Sequence, residues 1–131
     1  MQAEQIKQVA EEALEEIKAR DVVVLGTGKL TSLFDFMIVA TAESARQTKA
    51  LARNVTEKIK AAGGQVLGIE GEQTGEWVLV DLGSVIVHIM LPAARDYYNL
   101  EQLWGGTVPR RTSALRRGAD LRATDAGVAP P

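Results

Sequence analysis

Residues 76–90 constrain the fold more than any other stretch of the chain. They read Glu76-Trp-Val-Leu-Val-Asp, then Leu82-Gly-Ser, then Val85-Ile-Val-His-Ile-Met. Two runs rich in β-branched residues on either side of a glycine spell a β-hairpin. Side chains alternate between the two faces of a strand. An even number of loop residues at Gly83 therefore puts Val78, Val80 and Leu82 on one face with Val85, Val87 and Ile89. That face is wholly aliphatic and has to be core. Trp77, Leu79, Asp81, Ile86, His88 and Met90 share the other face, which mixes an indole, a carboxylate and an imidazole. Such a hairpin needs further strands beside it and helices to cover its aliphatic side.

The remaining sequence supplies both. Ile6, Val9, Ala10, Ala13, Leu14 and Ile17 recur at helical spacing over residues 3–19, opposite a face of glutamates and lysines. Val22, Val23, Val24 and Leu25 form a short apolar run typical of a buried strand, and residues 34–42 form a second, apolar except for Asp35. Ser44 with Gln47 three positions on predicts a capping box, followed by the apolar stripe Leu51, Ala52, Val55, Ile59 and Ala62. Gly63-Gly64 closes that helix, residues 65–69 read as a brief strand, and residues 70–75 read as an exposed turn. Pro92 suits the first turn of a last helix over residues 93–104, with Tyr97, Leu100 and Trp104 on one side. The order α-β-β-α-β-β-β-α predicts an α/β (α+β) chain: a single domain, residues 1–106, with a mixed five-stranded sheet flanked by helices.

Composition narrows what such a domain can do. The 131 residues contain one histidine and no cysteine, which excludes disulfides, thiolate metal sites and a thiol nucleophile. No apolar run approaches the roughly 20 residues of a membrane span, and the acidic, amphipathic start is unlike a signal peptide, so the chain is expected to be cytoplasmic. The net charge of −2 conceals a split. Residues 105–131 hold five arginines against two aspartates, a charge of +3, which leaves −5 for residues 1–104. An acidic body of this kind suits a basic partner and not a specific nucleic-acid sequence.

No catalytic constellation stands out. Gly26-Thr-Gly28 follows a strand, but Thr31 occupies the position where a dinucleotide fingerprint has its third glycine, and the segment leads into another strand. Asp35 and Asp81 each stand alone on a strand, and Glu70 and Glu72 straddle a glycine turn, so no paired carboxylates offer a magnesium site. His88 lacks a serine or cysteine nucleophile to serve, and reads as structural or as part of a contact surface. Trp77, Arg95, Tyr97, Tyr98 and Trp104 crowd most of the aromatic content into one third of the chain, beside Asp81 and Met90. Residues of these types anchor interfaces, and they equally fill cores. No cofactor and no metal is expected.

Six segments together carry a resemblance: Asp21-Val-Val-Val-Leu, Leu30-Thr-Ser-Leu-Phe-Asp-Phe-Met-Ile-Val-Ala, Ser44-Ala-Arg-Gln-Thr-Lys-Ala, Gly75-Glu-Trp-Val-Leu-Val-Asp-Leu-Gly, Val87-His-Ile-Met-Leu-Pro, and Arg95-Asp-Tyr-Tyr-Asn-Leu-Glu-Gln-Leu-Trp. In unbroken order over residues 3–104 they resemble the Iojap family of ribosomal silencing factors. The resemblance implies a binding protein and not an enzyme, one that meets the large ribosomal subunit through ribosomal protein L-fourteen and blocks joining to the small subunit. It also implies self-association as a homodimer when free. The implied fold is related to nucleotidyltransferases, yet valines follow Gly83-Ser84 where those enzymes place an Asp-x-Asp pair. Trp77, Asp81, Met90, Arg95 and Tyr98 are the expected contributors to the contact surface. The basic tail, residues 107–131, lies outside the quoted motifs. The competing expectation is a nucleotidyltransferase-like enzyme holding a nucleotide near residues 26–32.

Overall fold

A computed structural model describes residues 1–100, apart from the side chains of Tyr97 and Tyr98. Its elements follow the expected order: α1 (Ala3–Glu16), β1 (Arg20–Gly26), β2 (Phe36–Thr41), α2 (Ala45–Ala61), β3 (Gly68–Glu70), β4 (Trp77–Asp81), β5 (Val85–Met90) and α3 (Pro92–Tyr98). The five strands form one sheet in the order β1-β2-β5-β4-β3. Neighbours run antiparallel except the central pair, where β2 lies parallel to β5 from Phe36 beside Val85 to Thr41 beside Met90. The sheet is therefore mixed, with α2, β3 and β4 as the connection between its two middle strands.

The hairpin sits in the register its alternation requires. Val78 faces Ile89 and Val80 faces Val87, while Leu82 donates its N–H to the Val85 carbonyl at 2.9 Å. The loop between them is Gly83-Ser84, and Gly83 has φ +89°, a left-handed conformation that favours glycine at the first position of a two-residue turn. All six aliphatic side chains of that face are buried against α1 and α2, with Ile38, Ala40, Leu14, Leu51, Val55 and Ile59. Asn54 locks the two helices together, its amide donating to the Ala13 carbonyl at 2.8 Å and to Glu16 at 2.9 Å. The Gln47 amide does the same at the other end, reaching the Ile17 carbonyl at 2.9 Å.

Four local expectations shift. The second strand begins at Phe36 instead of residue 34, because Phe34 and Asp35 belong to the loop that closes on Thr27. The third strand covers Gly68–Glu70 alone, the stretch that pairs with β4. Ser44 caps α2 by accepting the Gln47 N–H at 3.1 Å, but Gln47 accepts from the Glu43 N–H at 2.7 Å, one residue before the cap, so the reciprocal box is displaced. The last helix breaks after Tyr98, where Asn99 turns left-handed with φ 47°, and Leu100 is helical again. Asparagine tolerates that conformation better than other side-chained residues, and the reversal brings Leu100 into the core beside Met90 and Val23. Trp104, the boundary at residue 106 and the tail 107–131 lie outside the described residues.

Candidate functional site

The mixed face of the hairpin looks away from α1 and α2. Its upper row runs Thr41–Met90–Trp77 across β2, β5 and β4, and the next row runs Val39–His88–Leu79. Trp77 and His88 are thus diagonal neighbours, close enough to bond. The Trp77 Nε1–H donates to His88 Nδ1 at 2.9 Å, with ring centroids 5.8 Å apart and planes tilted by 48°. An accepting Nδ1 carries no proton, so the neutral ring bears its hydrogen on Nε2. Burial favours that state further: His88 is 3 % exposed, and desolvation pushes its pKa down to about 4. At neutral pH it is an uncharged acceptor that fixes the indole.

Trp77 itself stays half-buried, and with Leu79, Glu70 and Gly71 it lines a depression of about 150 Å³. Gly71 shapes this edge. At φ +89° a Cβ there would stand 2.0 Å from the Trp77 carbonyl oxygen, so the β3–β4 turn closes onto Trp77 only because no side chain intervenes. Asp81 is half-buried at the far end of β4, where its Oδ1 accepts the Gly83 N–H at 2.9 Å and braces the hairpin turn.

The other expected surface residues lie deeper or beyond description. Met90 is fully buried among Val23, Leu25, Met37, Val39 and Leu100. Arg95 is 7 % exposed, and its guanidinium points inward: one nitrogen donates to the Asp21 carbonyl and to Thr41 Oγ1, the latter at 2.7 Å. Both residues therefore hold the face from below. Tyr98 is the last residue of α3, and its side chain lies outside the described residues. The structure thus brings Trp77 and Asp81 to opposite ends of one strand, with Met90 and Arg95 beneath.

Two contributors escaped the sequence. Gly71 carried no signal beyond its place in a turn. Thr41 ended an apolar strand and gave no hint that it accepts from an arginine 54 positions away. The Trp77–His88 pair was nearer to hand, since alternation had already put both on one face. The loop at Gly26-Thr-Gly28 resolves as a turn: Thr27 is buried, its N–H donates to the Asp35 carbonyl at 2.9 Å, and its hydroxyl to the Phe34 carbonyl at 3.2 Å. Among the described residues no three His, Asp or Glu side chains gather where they could hold a metal ion, and no helix is long and apolar enough to cross a membrane.

A small α+β domain whose strand β4 stays partly open to solvent, with Trp77 bonded to a buried histidine, is what these residues define. Comparison with known proteins gives it a family. A model described as "Ribosomal silencing factor during starvation" matches residues 1–128, further along the chain than the motifs reach. A ribosomal silencing factor of Chromobacterium violaceum is 58% identical over 109 residues, covering 83% of this chain and 89% of the relative. One from Haemophilus influenzae is 43% identical, covering 71% and 91%. A mouse protein named for mitochondrial assembly of the ribosomal large subunit is 30% identical over 70% of this chain, though only 41% of its own length. Among solved structures, a Chromobacterium violaceum protein superposes with a TM-score of 0.80 at 55% identity, covering 87% of this chain and 95% of that one. A Bacillus halodurans protein superposes at 0.71 with 31% identity, covering 85% and 99%. The chain belongs to the ribosomal silencing factor family, the family that includes Iojap. Its bacterial relatives are named as ribosomal silencing factors, a name that denotes no enzyme activity.

Proposed function

We propose that this protein binds the large ribosomal subunit through ribosomal protein L-fourteen and so prevents the small subunit from joining. The observation that carries the reading is Trp77: a large, half-exposed aromatic held in one orientation by His88 on a sheet face, in a chain whose family is named for ribosome silencing. A rigid indole loses little entropy on docking and removes much area from water. Asp81 would meet a lysine or arginine of the basic partner, and Tyr98 would extend the contact along α3. Met90 and Arg95 would act indirectly, as the support under Trp77 and α3. The −5 of residues 1–104 favours encounter with a basic ribosomal protein. When free, the chain would pair with a second copy, which sedimentation at rising concentration measures. It would work in the cytoplasm.

Two measurements test the proposal. Adding the protein to purified subunits should lower the yield of joined ribosomes on a sucrose gradient, and an unchanged yield would overturn the silencing role. Trp77→Ala should weaken co-sedimentation with large subunits by about thirtyfold, the equivalent of roughly 2 kcal/mol for one buried aromatic anchor. Trp77→Phe, which keeps the ring but not the indole donor, should fall between. If both folded variants co-sediment like the parent, Trp77 is not an anchor.

A further inference from the structure

The two long helices carry opposite charge. On α1, Glu4, Glu11, Glu12, Glu15 and Glu16 stand against Lys7; on α2, Arg46, Lys49, Arg53, Lys58 and Lys60 stand against Glu57. They meet through one bridge, Lys58 to Glu16 at 3.4 Å. Among the described residues the other four cations of α2 make no ion pair and no side-chain hydrogen bond, and Glu57 is bonded to none of them. Arg46, Arg53 and Lys60 are exposed and Lys49 is half-buried.

Their spacing aligns them. Seven residues return a helix to nearly the same bearing, drifting only ~20°, so Arg46, Arg53 and Lys60 fall in line and Lys49 lies beside them. At 1.5 Å per residue the line is roughly 20 Å long. The buried side of the helix, Thr48, Leu51, Ala52, Val55 and Ile59, points the other way. Residues 1–104 are therefore acidic in sum only. They carry a basic stripe on the helical layer, on the opposite side of the sheet from the Trp77 side chain.

We infer that this stripe binds the phosphate backbone of folded RNA, reading charge and not sequence. The four cations outnumber Glu57, which lies on the same side of the helix, and a repeating polyanion relieves their mutual repulsion while releasing its counterions. Two of the four are arginines, whose planar forks match phosphate oxygens. An anionic bilayer is a poorer match: helices that lie on membranes insert apolar side chains beside the cations, and every large apolar side chain of α2 is fully enclosed in the core. The inference rests on α2 and does not depend on the contact with L-fourteen.

The test is fluorescence anisotropy with an end-labelled RNA duplex of about 24 base pairs and mixed sequence, between 50 and 200 mM salt. The parent protein should bind with a log–log salt slope of about −3.6, the value for four phosphate contacts on a duplex. The variant Arg46→Gln/Lys49→Gln/Arg53→Gln/Lys60→Gln, with its melting temperature measured alongside, should bind at least about tenfold more weakly at the lowest salt and with a slope near zero. A control, Arg110→Gln/Arg111→Gln/Arg116→Gln/Arg117→Gln, removes as many charges from the tail and should keep most of the binding. Equal binding by the parent and the helix variant overturns the proposal. So does loss confined to the tail variant, absence of duplex binding by the parent, or binding to phosphatidylserine vesicles without binding to RNA. Trp77→Ala should leave duplex binding intact, which separates this surface from the one on β4.

Discussion

The sheet's two faces use the same five strands and hold their helices in different ways. Under α1 and α2 the contact is aliphatic throughout, from Ile38 to Ile89, and non-directional. On the α3 side a smaller apolar cluster around Met90 and Leu100 is joined by directed bonds: Arg95 of α3 to Thr41 and the Asp21 carbonyl, and Trp77 to His88 within the sheet. Hydrophobic contact tolerates repacking, because one branched side chain can replace another at small cost. A buried donor that loses its acceptor has no such substitute. The helical face thus supplies stability, while the other fixes the position and orientation of a few groups, which recognition requires.

The largest expected effect lies on the aliphatic side. Ile89→Ala, at a position with no exposure, should cost about 3–4 kcal/mol in urea unfolding, and Ile89→Leu should recover most of it. Arg95→Met should cost about 2–3 kcal/mol by taking the charged donor from the buried Thr41 hydroxyl and from the half-buried Asp21 carbonyl. Arg95→Lys should restore only part of it, since the ammonium sits on a shorter side chain than the single guanidinium nitrogen that reaches both acceptors. Full recovery by lysine would erase the distinction between the faces.

Between pH 7 and pH 5 acid should act mainly on the polar face, through His88. Folded His88 takes up a proton only near pH 4, whereas in the unfolded chain it does so near 6.5. Between those values the unfolded state binds more protons, so stability is complete above about 6.5 and declines as pH falls towards 4. The loss from pH 7 to pH 5 should be about 2 kcal/mol, measured by urea unfolding at both, and His88→Leu should remove that dependence because the chain has no other histidine. The smallest effect is expected at Asp81→Asn. It keeps an oxygen for the Gly83 N–H and should change stability by less than about 0.5 kcal/mol, while slowing association with large subunits at low salt.

The aliphatic face was legible because it obeys alternation: Val78, Val80, Leu82, Val85, Val87 and Ile89 announce their common side whatever covers it. Helix α2 was legible for a related reason, its stripe and Ser44 cap being local patterns. The polar face resisted because its bonds are long-range and individual. Nothing local says that Arg95 turns inward to Thr41, that Met90 is sealed under Leu100, or that Asn99 ends a helix whose apolar spacing continues to Trp104. Charge misled in another way. A sum over residues 1–104 cannot reveal that α1 and α2 segregate their signs, because segregation cancels in the total.

The parallel pairing of β2 with β5 also governs when the fold can form. Phe36 lies beside Val85, so the middle of the sheet closes a loop of nearly fifty residues. The β4–β5 hairpin and α2 are local and can form early; the sheet cannot close until the chain has been made past Met90. During synthesis the nascent chain therefore leaves the ribosome without its central strand pair. The Trp77–His88 bond and the Arg95 strut, both built on β5 or beyond it, come last. The face that carries Trp77 is thus completed only after β5 has been made.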